Sequence, residues 1–386
     1  MLYSIVWAVL LLGNRLFRPK EPFKETAKSD DASSPSPTAI DHHHDDASLL
    51  DEISVLSWNI LAPCYGLPHL YRSQKRQQLR NTNNNAADST TAEDFMEWSY
   101  RSPRILETIE RHAADLVCLQ EVQVDLWPRL GESLQKIGYS TALIQKVNRG
   151  LPVATVILLH DRRAREWKAV KVESRSRALL VTLECRKKSR SARQQQDGNN
   201  APYYYLFVAN VHLQAGKEEW DTRYSQVKSL LKRLYLHTER ASALQLEHPL
   251  VLLMGDWNTL TTDPLHNLLT TGTLPDDHGL PQLYPNLPLL PLCDVNQHNN
   301  NGNRSPHRQP PLAWTHTCGA TLDYIFASPQ VQVCELWSAD TIAPVSLPIP
   351  NANFPSDHVP IGGVFRLHGV RHKDDKNNHK RQSKYG

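Results

Sequence analysis

Leu250-Val-Leu-Leu-Met-Gly-Asp-Trp-Asn258 begins as an unbroken apolar run of strand length and stops on a glycine, a carboxylate and an amide. A run of this length and composition suits a β-strand. The pattern recurs along the chain. Ile53 to Leu56, Leu116 to Leu119, Val153 to Leu159, Ala178 to Leu183, Tyr204 to Val211, Leu322 to Phe326 and Pro360 to Phe365 are further strand-length runs. Helical spacing lies between them. Ile105, Leu106, Ile109 and His112 share one face, as do Val227, Leu230, Leu231 and Leu234. A further helix is expected over Asp263 to Leu269, with Asp263 as cap and Pro264 in its first turn. Strands alternating with helices predict an α/β fold.

The chemistry sits where these runs end. The first closes on Asn59, the second on Gln120-Glu121, and the run through Val211 on His212. The opening stretch closes on Asp256 and Asn258, Asp323 lies within the next, and Asp357-His358 precedes the last. Taken alone, each is more often a turn or cap residue than a catalyst. Six such endings are hard to arrange by chance, and in layered α/β folds strand ends converge on one edge.

Phosphoester hydrolysis gives each group a task. Mg²⁺, with Mn²⁺ as the alternative, needs hard oxygen ligands and keeps several waters, so Glu121 suffices with Asn59 and, through water, Asp357. His212 can donate a hydrogen bond to a phosphoryl oxygen. Asp256 can serve as general base or acid, with Asn258 orienting the attacking water. Asp323 and His358 make a dyad in which the carboxylate fixes the tautomer and stabilises the imidazolium. The sequence carries no Gly-x-Ser-x-Gly and no Walker-type loop, which favours direct attack by water.

The remaining composition sets bounds. At 386 residues, 40% apolar and 22% charged, the chain fits one large α/β domain or two ordinary ones, and a net charge of +3 selects no partner. Six widely spaced cysteines without a Cys-x-x-Cys pair argue against a zinc site or a disulfide framework, and Cys118, inside an apolar run, is expected to be buried. Residues 1–20 begin with an apolar stretch, Leu2 to Leu12, too short for a standard spanning helix and followed rather than preceded by positive charge. This segment is read as a targeting or anchor element, which would make the protein membrane-associated, secretory-route or organellar, and otherwise cytoplasmic. Residues 21–50 are expected to form a disordered linker, His42-His43-His44 included, and 51–368 the folded domain. Polar insertions are expected near 81–94, 186–200 and 296–310, and a basic, disordered tail over 369–386. The basic residues of the second insertion are read as a solvated loop in preference to a nucleic-acid contact.

In this order, the motifs resemble the endonuclease/exonuclease/phosphatase superfamily, which includes deoxyribonuclease-I-like nucleases, inositol phosphatases and neutral sphingomyelinases. The resemblance covers Ile53 to Leu367. It implies a four-layer α/β sandwich, two central, mainly antiparallel (mixed) sheets flanked by helices, with a divalent metal at one edge. It also implies the roles already given: Asn59 and Glu121 near the metal, His212 on phosphate, Asp256 and Asn258 at the attacking water, and Asp323 paired with His358. Trp98-Ser-Tyr-Arg101, Leu119-Gln-Glu-Val122, Gly255-Asp-Trp-Asn-Thr259, Asp263-Pro264, Leu268-Leu-Thr-Thr-Gly272, Leu347-Pro-Ile-Pro350 and Pro355-Ser-Asp-His358 are similar to the carbon-catabolite-repressor, nocturnin and Angel branch, as is the spacing of Arg223 and Gln226 after His212. That branch comprises mostly 3′–5′ exoribonucleases that shorten poly(A), with nocturnin-like members associated with the 2′-phosphate of NADP(H). Two positions depart from it. Where deadenylases stack an aromatic on adenine the chain has Cys318, and where a proline helps hold the base it has Lys217. Loss of a stacking contact, about 1–3 kcal/mol per base, can redirect substrate choice without touching the metal site.

Three functions therefore stand side by side. The first is a 3′–5′ exoribonuclease, with poly(A) among its substrates. The second is a phosphatase for NADP(H) or another small phosphoester, and the third a silent RNA- or protein-binding scaffold, which the complete motif set disfavours. RNA or a nucleotide is the expected partner, and no obligate protein partner is inferred.

Overall fold

The computed structural model describes residues 48–65, 94–147, 152–186, 203–242, 249–272, 293–294, 314–337 and 347–369. The N-terminal segment, nearly all of the expected linker, most of the first two insertions, the whole third insertion and residues 370–386 lie outside these. Among the described residues no helix is long and apolar enough to cross a membrane.

The strands are β1 (Ser48–Asn59), β2 (Leu116–Gln123), β3 (Thr141–Ile144), β4 (Val153–Leu159), β5 (Trp167–Arg175), β6 (Ala178–Arg186), β7 (Tyr203–His212), β8 (Leu250–Asp256), β9 (Cys293–Asp294), β10 (Asp323–Ala327), β11 (Val331–Leu336) and β12 (Ile361–Gly369). Among the described residues four α-helices accompany them: α1 (Trp98–His112), α2 (Trp127–Lys136), α3 (Trp220–Ser242) and α4 (Pro264–Thr271). The strands form two six-stranded sheets, ordered β11-β12-β1-β2-β4-β3 and β5-β6-β7-β8-β10-β9. Only β1–β2 and β7–β8 run parallel, with α1 and α3 in their respective connections; every other pairing is antiparallel.

Alternation along the strands builds the layers. Leu116 and Cys118 of β2 point between the sheets with Val208, Leu252 and Met254, whereas Val117 and Leu119 point outward onto Ile105, Ile109, Leu130 and Leu134 of α1 and α2. On the second sheet, Phe207, Ala209, Val251 and Leu253 face Val227, Leu230, Leu265 and Leu268 of α3 and α4. The result is helix, sheet, sheet, helix, the expected four-layer sandwich. Interior strands are covered on both faces, which is why their sequences read as continuous apolar runs.

Two local expectations need adjustment. β1 starts at Ser48, inside the expected linker, because Ser48 and Leu49 extend the pairing with Gly369 and His368 and Leu50 packs on the core. Asp263 occupies the cap position of α4 with Pro264 following, but its carboxylate accepts from the backbone N–H of Leu260 at 2.9 Å instead of capping the helix. Cys118 is fully buried, as expected, and so is Cys185, while Cys64 and Cys318 are exposed.

Candidate active site

Both parallel units deliver their carboxyl ends to the same edge. Asn59 ends β1 beside Gln120, and His212 ends β7 directly opposite Asp256 on β8. Asp323, the first residue of β10, pairs across from Asp256. The ends are bent to present their side chains. β2 breaks register with β4 between Leu119 and Val122, and within that bulge Glu121 has φ +57°, which turns its carboxylate into the cleft. Leu61 and Asn258 also lie in the left-handed region, at φ +52° and +48°. Non-glycine residues in that region are uncommon, and their gathering around one cleft marks a functional edge. Gly255 is required for a different reason: a Cβ there would come within 1.9 Å of the Val211 carbonyl oxygen.

A continuous set of contacts crosses the cleft. Asn59 Nδ2 donates to Glu121 Oε1 at 3.1 Å and to Asp256 Oδ2 at 3.0 Å. The other Glu121 oxygen accepts from the Ala62 N–H at 3.0 Å. His212 Nε2 stands 3.7 Å from Glu121 Oε1 and 3.8 Å from Asp256 Oδ2. His358 Nε2 lies 3.7 Å from that same Asp256 oxygen, and its Nδ1 donates to Asp323 Oδ2 at 2.8 Å. Asn258 closes the set: its N–H donates to Asp256 Oδ1 at 3.0 Å, and its side chain to the Leu213 carbonyl at 3.1 Å. Asp357, beside His358, is close enough for its charge to act on Glu121. All eight sequence-derived residues therefore meet at one edge.

The electrostatics are uneven. Burial and the neighbouring Asp357 raise the Glu121 carboxyl well above the carboxylate range. Burial also drives His212 down to about 4, with Asp256 opposing and Arg177 adding to the fall, so its ring is neutral at pH 7. Burial would lower His358 as well, but Asp323 and Asp256 overcome it and hold the ring well above the ordinary histidine value. One neutral and one charged imidazole thus flank Asp256.

Several participants lie outside the strand-end pattern. His316 packs its ring 4.5 Å from that of His358, and its Nε2 is 3.7 Å from Asp357 Oδ2. Despite burial, the carboxylate raises His316 to about 9. Arg101, fully buried on α1, donates to the carbonyls of Met96, Ile60, Leu61 and Pro355 and so joins the loop after β1 to the segment before Asp357. Arg101 was visible only as part of a family motif. His316 sits in a loop with no periodic signal. Between the sheets, Asn210 donates to the Leu119 and Val156 carbonyls and accepts from Gln120 Nε2 at 2.8 Å, fixing the halves of the cleft to each other.

The residues fit a divalent cation. Glu121 is a buried carboxylate beside a second acid, both facing the cleft, an arrangement that a bound cation relieves. Two tight donor groups also occur among the described residues, His316–Asp357–His358 and Asp256–Asp323–His358. In the second, His358 Nδ1 is already committed to Asp323. In the first, His316 Nδ1 lies 3.1 Å from the Cys318 N–H, and its Nε2 faces Asp357.

Comparison with known proteins agrees with this geometry. The model of the endonuclease/exonuclease/phosphatase family matches residues 56–358. Carbon catabolite repressor protein 4 homolog 4 of Arabidopsis thaliana is 26% identical over 70% of this chain and 71% of its own length. Mouse protein angel homolog 2 is 26% identical over 58% of this chain but only 38% of its own length. Among solved structures, ANGEL2, described as a 2′,3′-cyclic phosphatase, aligns at TM-score 0.54 and 19% identity over 84% of this chain and 98% of its own. The human Nocturnin catalytic domain aligns at TM-score 0.52 and 20% identity over 84% of this chain and 97% of its own. With a family model spanning most of its length and a cleft of this construction, the chain belongs to the endonuclease/exonuclease/phosphatase family, whose members are divalent-metal-dependent phosphoester hydrolases.

Proposed function

We propose that the chain is a Mg²⁺-dependent 3′–5′ exoribonuclease that hydrolyses phosphodiesters by direct attack of water. The observation that carries this reading is the contact series Glu121–Asn59–Asp256–His358–Asp323, with His212 placed between two of its carboxylates. Glu121 and Asn59, with Asp357 outside them, would hold the cation, which when bound supplies positive charge to the phosphoryl oxygens and the leaving group. Neutral His212 donates a hydrogen bond to a non-bridging oxygen without adding to the charge of the resting site. Asp256, oriented by the Asn59 amide and the Asn258 N–H, takes the proton of the attacking water. His358, kept protonated by Asp323, stabilises the negative charge that develops as the phosphoryl group is transferred.

Support for an RNA substrate comes from the carbon-catabolite-repressor relatives; one, from Enterocytozoon bieneusi, is named a probable 3′–5′-exoribonuclease subunit, and this chain spans about a third of its length. A second reading, a phosphatase for NADP(H) or a cyclic nucleotide, is favoured by one feature: an exposed Cys318 stands where deadenylases stack a base. Purified protein with Mg²⁺ or Mn²⁺, and then with EDTA, is to be incubated with oligoadenylate, mixed-sequence RNA, single-stranded DNA, NADPH and adenosine 2′,3′-cyclic phosphate. Ladders shortening from the 3′ end, lost in EDTA and in Glu121→Gln, are the expected result. Turnover of NADPH or the cyclic nucleotide alone would move the assignment to the second reading, and no turnover at all would leave a scaffold.

A further inference from the structure

The turn between β5 and β6 carries Arg177, and its carbonyl oxygen accepts the backbone N–H of His212 at 3.0 Å. That bond fixes the turn to the strand end holding a catalytic candidate. The Arg177 side chain is half-buried, and its Nη2 donates to Gln214 Oε1. Gln214 is itself fixed: its N–H donates to Gln226 Oε1 at 3.0 Å, and its carbonyl accepts from Arg223 Nη1 at 3.2 Å. One arm of the guanidinium is therefore anchored by a neutral amide on a rigid loop, immediately outside His212.

Several other arginines have counter-ions. Arg162 and Arg163 face Asp115, Arg175 and Arg233 face Glu173, and Arg366 faces Glu52. Arg101 is saturated with backbone carbonyls. Among the described residues Arg177 has no carboxylate within ion-pair distance. A planar guanidinium held at one corner, with no acid among the described residues on its remaining donors, matches a phosphate in shape and charge. Its charge is near enough to act on His212, and the Gln214 bond fixes it beside that ring.

We propose that Arg177 binds the phosphate adjacent to the one being cleaved, so that the site prefers a single-stranded oligonucleotide to any substrate with a single phosphate. This rests on the hydrolase reading above and adds a subsite to it. An arginine that merely braced the Gln214 loop would disturb His212, and with it ligands of every length, by similar factors. An arginine that meets the neighbouring phosphate acts only on ligands long enough to carry one.

The experiment measures binding by fluorescence anisotropy with a labelled, phosphorothioate-linked oligoadenylate, and with AMP as competitor, over a series of salt concentrations in Mg²⁺. Arg177→Gln is expected to weaken the oligonucleotide at least about tenfold more than AMP, the scale of one charge-assisted hydrogen bond. Its salt dependence should fall by about 0.7 in log–log slope, one phosphate contact on a single strand. Arg177→Lys should restore the slope and only part of the affinity, because it keeps the charge but not the fork. Equal binding by wild type and Arg177→Gln, absence of oligonucleotide binding, or parallel weakening of both ligands would each overturn the proposal. Because the readout is binding, it separates from the hydrolase reading, which fails instead if wild type binds ordinary oligoadenylate without cutting it.

Discussion

The two ends of the same strands carry buried charge in opposite ways. At the amino ends of β1 and β2, Arg163 is buried between Asp51 at 3.1 Å and Asp115 at 2.9 Å, and it also reaches Glu166 and the Glu52 carbonyl. Tyr204 donates to Asp51 at 3.0 Å, and Ser54 and Arg162 complete the shell of Asp115. Burial opposes ionisation of Asp115, yet Arg163 and its other donors hold it down at about 2. At the carboxyl ends, Glu121, Asp256, Asp323 and Asp357 share a cleft with histidines and no ion-paired arginine or lysine among the described residues. There burial and Asp357 raise the Glu121 carboxyl, outweighing the Ala62 and Asn59 donors and the charge of His358. One end is electrically complete and holds the sandwich together. The other is left incomplete, and that deficit is its capacity to take a cation and a phosphate.

Removing Arg163 tests the complete end and should have the largest effect. Arg163→Ala leaves buried Asp51 without its cation and Asp115 with Arg162 alone, and urea unfolding should show a loss of about 3–5 kcal/mol. An unchanged midpoint would mean that the network is better hydrated than its burial indicates. Glu121→Gln tests the incomplete end and should move stability the other way. It is expected to lower phosphoester turnover roughly 10²–10³-fold. A carboxyl whose folded pKa lies above its unfolded 4.5 favours folding below that pH, and this contribution is lost as pH rises through the folded value. At pH 8 without metal, the neutral amide should therefore stabilise the protein by about 1–3 kcal/mol. Added Mg²⁺ should raise the melting temperature of wild type and not of the variant. A destabilised Glu121→Gln would contradict the contrast between the ends.

His237 is the intermediate case, a buried ring on α3 between Thr182 and Glu173, away from both clusters. Burial and Lys171 lower it to about 4, against Glu173. Because the unfolded ring protonates near 6.5, its contribution is intact above that pH and is lost as pH falls toward 4. The full shift corresponds to about 3 kcal/mol. Unfolding midpoints of wild type and His237→Gln compared at pH 7.5 and pH 4.5 should diverge by that order (roughly 2–3 kcal/mol within this window). Parallel curves would show that Glu173 keeps the ring charged.

What the sequence reveals follows from where each strand lies. The eight strand-length runs correspond to β1, β2, β4, β6, β7, β8, β10 and β12, every interior strand of the two sheets. The four without a sequence signal, β3, β5, β9 and β11, are the sheet edges. Half-exposed edges need no continuous apolar run; β5 alternates exposed Lys168, Val170 and Val172 with Trp167, Ala169, Lys171 and Glu173 on its less exposed face. Helix α2 was hidden by Pro128 and Gly131, although Leu130 and Leu134 bury one face. The same logic governs the cleft. Residues that end interior strands, from Asn59 to His358, stand out because each interrupts an apolar run. His316, Arg101 and Arg177 belong to a loop, a helix and a turn, where polar residues are ordinary and only the folded geometry gives them partners.

The pairing of the first strand with the last has a consequence for biosynthesis. Trp58 Nε1 bonds the His358 carbonyl, 300 positions away, and Ser356 Oγ bonds the Asn59 carbonyl. A nascent chain that has emerged through β10 already holds Glu121, His212 and Asp256, but β1 still lacks β12 at its side and the cleft lacks His358. Hydrolytic competence therefore arrives only after β12 has left the ribosome, so the cleft is completed long after Glu121, His212 and Asp256 have been synthesised.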